Sequence, residues 1–368
     1  MSKKFRVFAT ANIGEEPLNV LRRHGYELEV YGKVEAPPKS LILEKVRSGI
    51  DALITTLRDA IDEEVFAAGK DTLKIVAQDA VGFNNIDRNA ANKYKIPFSN
   101  TADVLTDATA EFAFFIMGCV ARKLYPSERL VEEGKWPSWH PYEPFLGDEV
   151  TGRTVAVIGT GRIGKSFIKK AVGFDMNVLC FDADYQDHSF VDAVRKIMHQ
   201  RADAKFVSKP QTIRYVSFEE ALQNADYVTL HVPLLMPHES KTPTFHLMGE
   251  AQFRMMKKTA YMINTSRGPI VDENALYKAL TEGWIAGAAL DVFEVEPLPM
   301  DSPLRDARLH LNLRKFHHFA SGATQTRLSP DPNVGMGGRT AQAVVDLLER
   351  GYDGDPKKMP YIVNKEAF

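Results

Sequence analysis

At 368 residues the chain is longer than one core usually holds, and its mix of 44% apolar and 26% charged residues is that of a folded globular protein. Disorder, a collagen-like repeat and a disulfide scaffold are excluded on those grounds. Lys plus Arg total 46 against 48 for Asp plus Glu, a net charge of -2, without the basic excess of a nucleic-acid binder, so no nucleic-acid partner is expected. The two cysteines, Cys119 and Cys180, sit in apolar stretches and read as buried thiols, with nothing to suggest an oxidising compartment.

The opening MSKKFRVFAT passes from charge straight into a strand-like run and lacks the apolar core of a signal peptide. The first hundred residues then alternate. Phe5–Ala9, Glu27–Tyr31, Ala52–Thr55 and Lys74–Ala77 read as strands, with helices over Glu16–His24, Leu41–Ser48 and Glu63–Ala68. Such alternation predicts a parallel sheet covered by helices. A long helix follows from Thr106 to Lys123, acidic at its start and basic at its end, as the helix dipole favours. Its apolar segment, Phe112–Ala121, is too short for a membrane span of roughly 20 residues and reads as buried helix, so no membrane partner is expected. The cytoplasm is the expected location. Next comes a Pro- and Trp-rich connection from Trp136 to Pro144, read as a loop or arm.

A second alternating region supplies strands at Val155–Ile158, Val178–Phe181, Tyr227–His231, Ala260–Ile263 and Ala286–Leu290. Ala183–Arg214, charged and weakly periodic, reads as a surface excursion, and a last helix covers Arg339–Arg350. Two doubly wound α/β units are the expected fold.

Within the second region the strand Val155–Ile158 runs into Gly159-Thr160-Gly161-Arg162-Ile163-Gly164, a Gly-x-Gly-x-x-Gly turn. Gly159 permits the tight turn, Gly161 lets backbone approach a pyrophosphate, and Gly164 lets helix pack on strand. The helix opening at Arg162 and Ile163 aims its N–H groups at the phosphates. The next strand ends at Asp182, a carboxylate placed to accept both ribose hydroxyls of an adenosine and to repel a 2′-phosphate. NAD(H) is therefore expected over NADP(H).

Two further segments follow strands at the carboxyl edge, where open α/β sheets bind ligands: Asn264-Thr265-Ser266-Arg267-Gly268 and Asp291-Val292-Phe293-Glu294-Val295-Glu296-Pro297. An arginine there can grip a small carboxylate through paired hydrogen bonds. Beyond them lies His317-His318-Phe319-Ala320-Ser321-Gly322. His238, His246, His310, His317 and His318 lack partners at ligand spacing, so no metal is expected.

Asn-x-x-Arg-Gly, Asp-Val-Phe-x-x-Glu-Pro and His-x-Ala-Ser, in this order, resemble the D-isomer-specific 2-hydroxyacid dehydrogenase family. Val104–Glu111, Trp139-His140-Pro141 and Phe145-Leu146-Gly147 resemble its glyoxylate/hydroxypyruvate reductase branch. The resemblance implies a flavodoxin-like substrate domain over 1–101 and 321–368, a Rossmann NAD-binding domain over 102–320, and a cleft between them. It also implies an NAD-dependent reductase of a small 2-oxo acid. Arg267 would bind the substrate, His318 would donate the proton to the carbonyl oxygen, and Glu296 would hydrogen-bond the imidazole. A free histidine titrates near ~6.5, and an adjacent carboxylate favours its protonated form. By the same resemblance Val81 and Gly82 offer backbone N–H groups to the substrate carboxylate. Asp291 holds the nicotinamide carboxamide, and Val232, Pro233, Thr244, Thr265 and Ser266 line the cofactor. A homodimer through the 106–123 helix and the 135–150 arm is implied as well.

The family places proline before the acid, where this chain has His317. Aligning Phe319-Ala320-Ser321 and Arg327 without a gap makes His318 the acid, whereas a one-residue slip selects His317. Asp79 stands where many relatives carry a basic residue, and Asn84 where Asp is frequent. A carboxylate there would repel an anionic substrate unless it pointed away. Two alternatives stay open: a dehydrogenase for another acid (lactate, longer-chain or phosphoglycerate), and a non-enzymatic NAD-sensing protein of the same fold.

Overall fold

The computed structural model describes residues 4–141, 146–208 and 210–368. The chain divides into two compact units, Met1–Thr106 with Ser321–Phe368, and Asp107–Ala320. The first break thus falls after Thr106, five residues beyond the expected residue 101. The long helix starts there, and its residues pack within the second unit.

The first unit is built from β1 (Arg6–Ala9), α1 (Glu15–Arg23), β2 (Glu27–Val30), α2 (Lys39–Arg47), β3 (Ala52–Thr55), α3 (Glu63–Gly69), β4 (Ile75–Gln78), α4 (Arg88–Lys93) and β5 (Phe98–Ser99). Its sheet is parallel throughout, in the order β2-β1-β3-β4-β5. Residues of β1 alternate between two cores: Val7 and Ala9 pack with Leu18 and Leu21 of α1, and Phe8 packs with Ile42 and Phe66 from α2 and α3. With both faces covered, such strands read as continuous apolar runs.

The second unit comprises α5 (Thr106–Ala121), α6 (Leu124–Glu132), β6 (Thr154–Ile158), α7 (Arg162–Gly173), β7 (Asn177–Phe181), α8 (His188–Asp203), β8 (Ile213–Tyr215), α9 (Phe218–Asn224), β9 (Tyr227–Leu230), α10 (Glu250–Met255), β10 (Tyr261–Asn264), α11 (Glu273–Thr281), β11 (Gly287–Leu290) and β12 (Leu313–Lys315). Seven parallel strands run in the order β12-β11-β10-β9-β6-β7-β8, so the winding reverses between β6 and β9. Ligands of open α/β sheets bind outside the strand ends at such a reversal. The chain then returns to the first unit through α12 (Thr324–Leu328) and α13 (Met336–Leu348), whose Ala341 and Val344 cover the face of Val7 and Ala9.

One expectation is overturned. Ala183–Arg214 is not a surface excursion but the crossover α8 leading into β8, the edge strand of the sheet. Val191, Val194 and Met198 bury one stripe of α8 against Val178 and Cys180 of β7. The long polar face of the helix masked a stripe only three residues wide. Residues 142–145, inside the expected arm, lie outside the described residues. Among the described residues, no helix is long and apolar enough to cross a membrane.

Candidate active site

The glycine turn lies at the winding reversal. Gly159 adopts φ +92°, and a Cβ there would meet the His231 carbonyl at 2.7 Å, so β6 and β9 approach too closely at this point for any side chain. A Cβ on Gly164 would lie 2.1 Å from the Gly159 carbonyl oxygen, which fixes how closely α7 returns to the strand. Gly161 differs: its φ is -68° and an added Cβ would meet nothing within 4 Å. No steric or backbone demand of the fold requires glycine there. It leaves open ground in front of α7, whose N-cap offers no side-chain acceptor. An uncapped helix amino end behind a bare glycine suits a pyrophosphate.

Asp182, at the end of β7, reaches back to this turn. Its Oδ2 accepts from Thr160 N at 2.8 Å and Thr160 Oγ1 at 3.1 Å, while Oδ1 accepts longer bonds from Asp184 N and Tyr185 N, 3.3 and 3.2 Å. The Thr160 hydroxyl also meets the Tyr215 hydroxyl at 2.9 Å, and that hydroxyl in turn accepts from Asp187 N. The carboxylate is thus held on the glycine turn, and a ribose would have to displace the two long bonds. Thr160 and Tyr215 were not singled out from the sequence. Tyr215 lies on the strand hidden in the supposed excursion.

Past β9, Val232 and Pro233 lead into a turn closed by Thr244, whose Oγ1 donates to Pro233 O and accepts from Leu235 N. Past β10, Thr265 is buried and its Oγ1 has no hydrogen-bond partner among the described residues. Such an orphan next to the turn after β10 is a polar group awaiting a ligand. Open Gly161, uncapped α7 and unpartnered Thr265 together fit a dinucleotide.

Asn264 shapes the next turn. Its Oδ1 accepts from Ser266 N and Ser266 Oγ, and its Nδ2 donates to Arg267 O. Only the Asn-x-x-Arg spacing signalled it. The Arg267 guanidinium is bonded among the described residues to the Ser266 carbonyl alone. Burial lowers its pKa, and the nearby Glu296 charge opposes that shift. A desolvated guanidinium without a bonded carboxylate is an anion receptor.

His318 Nδ1 lies 2.8 Å from Glu296 Oε2, while Phe293 N donates to Oε1 at 3.0 Å. Burial works to raise the Glu296 carboxyl. The His318 hydrogen bond and charge, the Phe293 N–H and the Arg267 charge outweigh it and hold the group below the usual carboxylate range. His317 instead stacks on Phe319, with ring centroids 5.1 Å apart. His318 adopts left-handed backbone, φ +57°. Its N–H bonds Asp291 O, and the fully buried Asp291 carboxylate accepts from Phe319 N at 2.6 Å and Ala320 N at 2.8 Å. Both Asp291 oxygens therefore face the backbone after His318 and stabilise a conformation that costs roughly 1–3 kcal/mol.

The turn after β4 belongs to the first unit. The carbonyls of Ala80, Val81 and Gly82 accept from Thr101 N, Asn100 Nδ2 and Gln78 Nε2. The N–H groups of Val81 and Gly82 make no hydrogen bond among the described residues. Gln78 opens the loop that carries Val81 and Gly82, but nothing in the sequence signals this bracing role, and Asn100 lies in no motif. The Asp79 carboxylate is buried and accepts from Thr340 Oγ1 of α13 at 3.0 Å.

Comparisons with known proteins agree with this architecture. A model of the D-isomer specific 2-hydroxyacid dehydrogenase NAD binding domain matches residues 114–313. A glyoxylate reductase of Korarchaeum cryptofilum is 44% identical over 326 residues, 88% of this chain and 89% of that protein. Another from Aeropyrum pernix is 38% identical across 99% of this chain and 97% of its own length. The crystal structure of the TT0316 protein from Thermus thermophilus superposes with a TM-score of 0.79 at 32% identity, covering 98% of this chain and 100% of that one. By sequence over most of its length and by the winding of both sheets, the chain belongs to the D-isomer-specific 2-hydroxyacid dehydrogenases, oxidoreductases that work with a nicotinamide cofactor.

Proposed function

We propose that the chain reduces a small 2-oxo acid, glyoxylate or hydroxypyruvate, to the 2-hydroxy acid, of D configuration where the product is chiral, using NADH. The observation that carries this reading is the His318–Glu296 bond, 2.8 Å long, with the Arg267 guanidinium in electrostatic reach of the same carboxylate. The relatives named glyoxylate reductase support glyoxylate among 2-oxo acids.

When bound, the nicotinamide supplies the hydride that the carbonyl carbon takes up. His318, with Nδ1 committed to Glu296, has Nε2 left to give its proton to the carbonyl oxygen, and it recovers that proton when the reaction runs backward. Glu296 keeps the ring oriented through its 2.8 Å bond to Nδ1. Arg267 grips the substrate through guanidinium N–H groups that no carboxylate among the described residues occupies. Val81 and Gly82 offer free backbone N–H groups to the substrate carboxylate. Gly159, Gly161 and Gly164, with Arg162 and Ile163 at the start of α7, take the pyrophosphate. Asp182 takes the ribose and disfavours NADP(H). Val232, Pro233, Thr244, Thr265, Ser266 and Asp291 line the nicotinamide half, Asp291 also fixing the His318 turn.

The assembly we propose is a homodimer through α5 and the arm, because Phe115, Val131, Trp136 and Trp139 expose 61%, 63%, 56% and 77% of their surfaces along that stretch. Its proposed location is the cytoplasm, where Cys119 and Cys180 remain thiols.

NADH absorbance followed with a panel of 2-oxo acids tests the reading. Glyoxylate or hydroxypyruvate is expected to be consumed faster with NADH than with NADPH. His318→Ala is expected to lower kcat/KM by roughly 10²–10⁴-fold while NADH still binds. Turnover of no 2-oxo acid, with NADH bound, would make the chain a cofactor-binding protein instead. Loss of turnover in His317→Ala but not His318→Ala would move the acid by one residue.

A further inference from the structure

Four parts of the second unit converge on the Phe293–Glu294 peptide. Gly268, next to Arg267, packs so closely that an added Cβ would lie 1.8 Å from the Phe293 carbonyl oxygen and 2.5 Å from the Glu294 nitrogen. Phe293 N holds Glu296 Oε1. Glu294 N donates to Glu273 Oε1 at 2.8 Å, and Glu273 N, the first N–H of α11, donates back to Glu294 Oε1 at 3.0 Å. His246 Nε2 stands 3.2 Å from that same Glu294 oxygen.

Two glutamates therefore grip each other's backbone in a closed ring of charge-assisted bonds, which are stronger than neutral ones. The N-cap Asp272 accepts from Asn274 N and Ala275 N, so of the first-turn donors the ring serves only the Glu273 N–H, and it does so with a side chain from the loop that carries Glu296. It also has a cost. Burial raises the Glu273 carboxyl, and despite the Glu294 N–H bond the charges of Glu294 and Glu296 push it further up. The titratable groups facing the pair are His246 from the turn before Leu247 and Glu296 on the same loop; Arg267, Asp291 and His318 in turn act on Glu296 or lie within its field. A fold that crowds three carboxylates beside an already capped helix gains something other than a cap.

We propose that the Glu273–Glu294 clamp is a positioning device for the acid–carboxylate pair. It locks the backbone at Phe293 and Glu294, and through the Phe293 N–H, one peptide unit before the clamped one, it holds the Glu296 carboxylate turned toward His318 at a fixed remove from the Arg267 turn. The inference rests on the roles proposed above for His318 and Glu296. Neither Glu273 nor Glu294 touches a reacting atom.

The test is the pH profile of kcat/KM for NADH-driven reduction in Glu296→Gln, Glu294→Ala and Glu294→Gln, with melting curves for each. Glu296→Gln calibrates the pair: losing the carboxylate is expected to move the alkaline limb down by about one pH unit or more. Glu294→Ala is expected to move the limb in the same direction and to lower kcat on the order of tenfold, about the worth of one charge-assisted hydrogen bond, with KM for NADH unchanged. Glu294→Gln keeps an amide oxygen to accept from Glu273 N and is expected to restore both. If Glu294→Ala lowers only the melting temperature, with wild-type kcat and limb, the clamp is a cap and the proposal is wrong. If Glu296→Gln itself leaves the limb in place, the Glu296 assignment fails and the clamp's role falls with it. Should Glu294→Ala not fold, Glu273→Ala deletes one of the two ring bonds, leaves the loop sequence intact, and carries the same pair of outcomes.

Discussion

A carboxyl group buried without a bonded cation is unstable in its charged form, and among the described residues Asp79 has no such cation. Burial raises its pKa to about 6, with the Thr340 hydroxyl and the Arg327 charge offsetting only part of the cost. The sequence alone suggested an acid that would repel an anionic substrate unless it pointed away. In the structure its side chain is spent on α13. The stability consequence has a definite sign. With the native pKa near 6 and an unfolded value near 3.9, the native state binds the extra proton between those pH values. Stability is therefore fully present below about pH 4 and is lost as the pH rises through 6, by on the order of 3 kcal/mol. Asp79→Asn keeps an acceptor for Thr340 and removes the charge, so it is expected to melt several degrees above the wild type at pH 8. That advantage shrinks as the pH is lowered toward 4.5, as melting curves at both pH values would register. An equal gain at both pH values would show that ionisation of Asp79 is not its source.

Glycine positions separate fold from function on α7. Gly164 meets the Gly159 carbonyl, so adding a methyl there must push helix from strand. Gly161 has ordinary backbone and empty surroundings, so Gly161→Ala is expected to change the melting temperature hardly at all. The same methyl would stand where a pyrophosphate approaches the α7 amino end, and NADH affinity, measured by fluorescence titration, is expected to fall tenfold or more, about 1.4 kcal/mol. Unchanged affinity would remove Gly161 from the cofactor site.

Much of this level was legible in the sequence because β1, β3, β4, β6, β7, β9, β10 and β11 are covered on both faces and stand out as apolar runs between turns. Strands of two or three residues, β5, β8 and β12, carry too little pattern to register. α8 was hidden by its solvated face, although Asp187, which accepts from Phe190 N, was a readable start signal. At the site, Arg267, Glu296 and His318 could be picked out by their motifs. The parts that hold them were fainter: Asn264 showed only as the first residue of Asn-x-x-Arg, and Glu273 and Glu294 act through main-chain bonds that only the folded backbone creates.

At the scale of the molecule, each core closes within one unit. Ala156 and Ile158 pack on one face of the seven-stranded sheet, Val155 and Val157 on the other, and every residue of those two cores lies between Ala110 and Leu313. The five-stranded sheet has its own pair of cores, drawn from residues up to Phe98 and from Ala341 onward. Separate cores favour separate cooperative transitions. A ligand that binds one folded unit stabilises that unit by mass action, about 2.7 kcal/mol at a hundred times its Kd. For a unit the size of Asp107–Ala320, each kcal/mol moves the midpoint roughly 2–4 °C. Calorimetry is therefore expected to resolve two transitions, with saturating NADH raising one by several degrees and leaving the other near its original midpoint. In Gly161→Ala a tenfold weaker affinity should remove about 1.4 kcal/mol of that stabilisation at the same NADH concentration and shrink the displacement to roughly half. A single transition that NADH moves as a whole would mean that the two units unfold together, and that the cofactor's grip extends beyond the sheet that carries the glycine turn.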